Sequence, residues 1–137
     1  MEEYINWISS SCFWAQISRE RLADFSRYVD EHPEMKIRDF IKIAARGNYP
    51  EFLGIIIDKF GPAAFTPEDG KTLTVFKGYH APTVANIVIE RGLALVGLKA
   101  YRDRLAYELS LVYNFDRGNL TIAFNAVFDA IMKLQFK

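Results

Sequence analysis

Residues 105–125 read LAYELSLVYNFDRGNLTIAFN, and the fold class turns on how this run is paired. Leu105, Tyr107, Leu109, Leu111, Tyr113 and Phe115 are apolar at every second position, with mostly small or polar residues between them. After Asp116-Arg117-Gly118-Asn119 the alternation resumes with Leu120, Ile122 and Phe124. A two-residue turn at Arg117-Gly118 sets Phe115 opposite Leu120, Tyr113 opposite Ile122 and Leu111 opposite Phe124. All three pairs fall on one face, as a hairpin in register requires. The pattern predicts an antiparallel hairpin over 105–125.

On the N-terminal side of this run, Lys71–Lys77 alternates around Leu73 and Val75 and reads as a strand. The short apolar run Leu93–Leu98 reads as a second, buried one. A helix opens at Pro82, carries Val84, Ile87 and Val88, and stops at Gly92. Residues 126–136 return to helical spacing. The first sixty residues read as four helices. The first carries Tyr4, Ile5, Ile8 and Cys12; the second is capped by Ser18 and ended by His32-Pro33. The third runs from Ile37 to a left-handed stop at Gly47, and the fourth opens at Pro50 and ends at Gly61-Pro62. The expected fold is α+β, a single domain over 1–137. Residues 1–60 are its helical half, 61–70 a loop, and 71–137 a mixed α/β segment around a small antiparallel sheet.

A second pattern competes. Shifted by 32 residues, Ile43 meets Val75, Pro50 meets Pro82, Ile55 meets Ile87, and Asp58-Lys59 meets Glu90-Arg91. Ile43–Asn48, Ile55–Gly61 and the turn Asp69-Gly70-Lys71-Thr72 resemble portions of an ankyrin repeat. The resemblance covers about sixty residues and lacks the family's Thr-Pro-Leu-His tetrapeptide. It implies, as the alternative fold, a degenerate ankyrin-like helical repeat with little strand.

Composition narrows the function classes. Of 137 residues, half are apolar, which supports a folded core rather than disorder. The charge balances at 17 basic and 17 acidic side chains, without the basic excess of a dedicated nucleic-acid or membrane-surface protein. Residues 1–70 nevertheless carry 8 bases against 12 acids, and residues 71–137 carry 9 against 5. One cysteine forms no internal disulfide, and with only two histidines a zinc site is not expected. No signal peptide, bilayer-length apolar run, phosphate-binding glycine loop or nucleophile elbow is present. These features predict a cytoplasmic, non-enzymatic domain with neither cofactor nor metal.

The reading that follows is a protein-binding domain, an inhibitor or immunity-type protein that neutralises a toxin or nuclease by covering its surface. A basic partner would meet the acids Glu2, Glu3, Asp30, Glu31 and Glu34, with Trp7 and Trp14 as aromatic anchors. The alternative is a ligand-binding or catalytic site at Tyr79 and His80, between an expected strand and a helix N-terminus. A basic patch of Arg91, Lys99, Arg102, Arg104 and Arg117 beside Tyr107, Tyr113 and Phe115 is the weaker basis for RNA binding. Aromatics that share a face with leucines are expected in a core instead.

Overall fold

The computed structural model describes residues 19–111 and 116–136, and helices make up 81% of them, with no strand. The expected α+β fold is therefore corrected to an all-helical, bundle-like one. Helix α1 spans Arg19–Glu31, α2 Ile37–Arg46 and α3 Phe52–Phe60. A short 3-10 turn, Pro62–Ala64, leads to α4, Pro67–Thr72, and a second turn, Leu73–Val75. A third turn, Gly78–His80, opens α5, Ala81–Glu90. Two longer helices follow, α6 over Leu95–Ser110 and α7 over Arg117–Gln135.

The helices form two rows. In one row α2 packs on α4 and α4 on α6; in the other α1 packs on α3, α3 on α5 and α5 on α7. Contacts of α2 with α3 and of α6 with α7 join the rows. Of the segments related by the 32-residue offset, the first contains the packed pair α2 and α3, and the second contains the end of α4 and the whole of α5, between which no comparable packing occurs. Arg91, just past α5, pairs with Asp58 of α3 and so links equivalent helices of the two segments.

The hairpin fails because a helical period runs through the same residues. Leu98, Tyr101, Leu105 and Leu109 recur at steps of three and four and turn α6 towards the core. Leu120, Ala123, Val127 and Ile131 do the same for α7, all four buried. Three positions that the apparent alternation needs lie outside: Tyr107 is 52% exposed, and Leu111 and Ile122 are exposed too. Residues 112–115, where Tyr113 and Phe115 were expected to pair, are outside the described residues.

The two other expected strands are also helical. Leu93–Leu98 follows the turn at Arg91-Gly92 and contains the first four residues of α6. Lys71–Lys77 contains the end of α4 and the turn after it, and the expected loop 61–70 contains the start of α4. That start is built by the sequence Thr66-Pro67-Glu68-Asp69. The Thr66 hydroxyl accepts the Asp69 amide, and the Asp69 carboxylate accepts the Thr66 amide at 2.9 Å. Reciprocal bonds of this kind satisfy two otherwise orphaned donors, and Pro67 is favoured at the first helical position. Asp69 is only 5% exposed and also faces the Arg38 guanidinium at 3.7 Å.

The boundaries of the N-terminal half largely follow the sequence. Gly61 adopts φ +91° and donates its amide to the Ile57 carbonyl, ending α3. At the end of α2 the left-handed residue is Asn48, at φ +62°, and not the expected Gly47, which stays right-handed. Asparagine tolerates this region better than most side chains. The expected first helix and the Ser18 cap lie outside the described residues. An aromatic cluster holds α1, α2 and α3 together: Phe25 stacks on Phe52 at 4.2 Å and meets Phe40 edge-on at 6.3 Å.

Candidate functional site

Three regions carry the chemistry available to this fold. The first is the turn Gly78–His80. Gly78 lets this turn lie close against Asp116: an added Cβ would stand 2.4 Å from the Asp116 Cβ. Tyr79 is exposed, and its ring sits 4.3 Å from that of His80. His80 Nε2 is buried and has no hydrogen-bond partner among the described residues. Burial holds the His80 pKa below the ordinary histidine value; Glu51 opposes that shift and Lys77 reinforces it.

Beside this turn lies a cavity of about 120 Å³. Glu108 and Asp116 face it from α6 and the start of α7, with Tyr101 at its wall. Burial pushes the Tyr101 phenol well above its usual range, so it stays protonated. His80 does not line this cavity, so the structure does not bring the imidazole to the two carboxylates.

The depressed His80 pKa has a consequence for stability. Between the folded and the ordinary value the unfolded chain binds the proton more readily. The contribution of neutral His80 is therefore complete above about pH 6.5 and is lost as pH falls through that value towards the folded pKa. His80→Gln is expected to flatten the fall in urea midpoint between pH 7.5 and 5.5. Identical pH profiles for the two proteins would remove His80 as the cause.

The second region is the acidic end of α1. Glu31 and Glu34 are exposed, whereas Asp30 is engaged by Lys59 of α3 at 2.7 Å. Glu2, Glu3, Trp7 and Trp14 lie outside the described residues. His32 has a local role: its Nδ1 is 2.8 Å from the Tyr28 carbonyl. A carbonyl only accepts, so Nδ1 carries the proton in that bond.

The four arginines of the basic patch expected after residue 90 are engaged internally. Arg91 pairs with Asp58, Arg102 with Asp103, and Arg104 with Glu108. Arg104 also lies over the Tyr107 ring at 4.6 Å, and Arg117 donates to the Leu109 carbonyl.

The third region is one that sequence reasoning missed. Phe128, Met132 and Phe136 follow one another at four-residue spacing along the outer side of α7 and past its end, all exposed, Phe136 by 76%. Phe128 stacks on Phe124 at 6.0 Å, which fixes one end of the row. Ile122, 57% exposed, lies further round the helix, beyond Thr121, Asn125 and Asp129. Round the helix from this row, Leu134 and Ala130 border a groove of about 630 Å³ whose other walls include Leu93, Leu95 and Leu98.

No known protein family, characterised protein or solved structure matches this chain. No described helix is long and apolar enough to cross a membrane, and no three His, Cys, Asp or Glu side chains gather as a metal site among the described residues.

Proposed function

We propose that this chain is a non-enzymatic protein-binding domain and that the outer side of α7 belongs to its docking surface. The observation that supports this reading is the exposed row Phe128, Met132 and Phe136. Helix α7 ends its row of the bundle, so no further helix among the described residues covers that side. Contiguous exposed apolar surface rimmed by polar residues marks interaction sites more often than isolated apolar side chains do. Thr121, Asn125 and Asp129 supply that rim. The partner is a protein presenting an apolar surface of its own, for which large side chains at low entropic cost act as anchors.

The narrower reading, an inhibitor of a basic toxin or nuclease, is supported by the charge of Glu31 and Glu34, with Asp30 beside them. On that reading, exchanging the three acids for lysine slows association and weakens its dependence on salt.

The α7 reading is tested with Phe128→Ser combined with Met132→Ser. Both side chains are exposed, so stability is expected to change by less than about 1 kcal/mol. Partner capture from a source lysate, read by quantitative mass spectrometry, is expected to lose at least one protein that the unaltered chain retains. An unchanged capture profile from a folded variant would overturn the assignment of this surface.

A further inference from the structure

Between the C-terminal end of α2 and the turn that follows α4 lies a groove of about 450 Å³. It sits on the row formed by α2, α4 and α6, apart from the α7 surface. Three cations face it: Lys42 and Arg46 from α2, and Lys77 from beyond the turn. Between them Ile43, Ala45 and Val75 make an apolar lining. No acid lines the groove. Among the described residues, Lys42, Arg46 and Lys77 form no ion pair, although eight such pairs occur elsewhere on the molecule.

The fold itself does not require these charges. Cations near a helix C-terminus usually answer its unpaired carbonyls. Here the amides of Gly47, Asn48 and Tyr49 already bond the carbonyls of Ile43, Ala45 and Ala44. Lys42 and Arg46 stand four residues apart on one side of α2, a like-charged spacing that slightly destabilises a helix. Lys77 adds a third positive charge across the groove. Half-exposed Val75 lies among the three, where an apolar group gains by being covered.

We propose that this groove binds an acidic peptide segment, with carboxylates on Lys42, Arg46 and Lys77 and an apolar side chain against Ala45 and Val75. A compact phosphate is the poorer fit. Phosphate sites draw on free backbone amides, and the amides of residues 47–49 are all engaged within the fold. Carboxylates spaced along an extended chain instead match three separate point charges on two segments of the fold. Single-stranded RNA needs aromatic platforms in its track, and no aromatic residue lines this groove. Exposed Tyr79, its ring 6.0 Å from the Lys77 ammonium, stands beyond the lining residues.

The probe is a fluorescein-labelled decapeptide of alternating glutamate and leucine, followed by fluorescence anisotropy in 50 mM and 300 mM sodium chloride. Binding at low salt is expected to weaken at least tenfold at high salt, because exposed charge pairs are screened. The triple variant Lys42→Glu, Arg46→Glu, Lys77→Glu is expected to lose at least tenfold in affinity at low salt. Lys36→Glu, at the opposite end of α2, is expected to bind as before. Should the charge reversals unfold the protein, glutamine at the same three positions replaces them. Absence of binding at low salt, equal binding by the triple variant, or tighter binding of a fluorescein-labelled oligouridylate than of the peptide would each overturn the proposal. The Phe128/Met132 variant is expected to keep full peptide affinity, so failure at the groove and failure at α7 are read separately.

Discussion

Phe52→Ala is expected to destabilise the protein by about 3–5 kcal/mol, the range for removing a fully buried aromatic side chain. Phe52 has no exposed surface, stacks on Phe25 at 4.2 Å and packs against Tyr49 at 4.9 Å. Its ring therefore joins α1 and the turn before α3 to α3 itself. Alanine would leave a void among Phe25, Tyr49 and their neighbours, which are held by two helices and cannot all close in. Domains of this size are stable by only about 5–15 kcal/mol, so a large share would be lost. Urea denaturation measures it. Phe60→Ala, at the exposed end of the same helix, serves as the comparison and is expected to cost much less. Equal losses at the two positions would mean that the α1–α3 aromatic cluster is not the anchor of the N-terminal half.

Gly70→Val is expected to cost about 3 kcal/mol or more, for the opposite physical reason. At this position α4 crosses α6. A Cβ on Gly70 would stand 2.4 Å from the Gly97 carbonyl oxygen and 3.1 Å from the Ala100 Cβ. The first obstacle is backbone, so no rotamer change relieves it. Accommodation requires α4 and α6 to move apart, which loosens Leu73, Leu98 and Tyr101 around the crossing. The melting temperature is expected to fall by on the order of 10 °C. Gly118→Ala is the matched control. Nothing lies within 4 Å of its added Cβ, and alanine is the better helix former, so that variant is expected to be at least as stable as the parent. A Gly70→Val protein that melted with the parent would rule out the close α4–α6 crossing.

Both positions bear on how far the sequence could be read. Phe52 was legible as core, because its helix is apolar on nearly every side and a helix of that kind must be buried. Gly70 reads as a turn residue, since Asp-Gly and a nearby proline are turn signals in isolation. Its actual reason is a contact with a residue 27 positions away, which no local pattern encodes. The Thr66 cap, by contrast, is present in the sequence as Thr-Pro-Glu-Asp and could have marked the start of α4.

The expected hairpin has a comparable origin. In 105–125 two periods coexist, one of two residues and one near three and a half. Counting tyrosines and leucines alike as apolar favours the first. Tyr107 and Leu111 are exposed, and removing them from the count leaves Leu98, Tyr101, Leu105 and Leu109 at helical spacing. Which apolar residues are inside is decided by neighbours, because much of any protein surface is itself apolar.

The candidate sites divide the same way. His80 stands out in the sequence because histidine is chemically conspicuous, and the structure leaves its Nε2 without a partner but outside the nearby cavity. Lys42, Arg46 and Lys77 are inconspicuous singly, and only the packing of α2 beside the turn after α4 gathers them into one groove. Local sequence sufficed for the three helices between residues 19 and 60 and for their stops at His32-Pro33 and Gly61. Each follows from backbone constraints or from local apolar spacing. Packing between helices was needed to make the described residues of 105–125 helical, to place Gly70 at a crossing, and to leave particular charges and apolar side chains uncovered. Those outcomes depend on what surrounds a residue in space, and burial energy is set there.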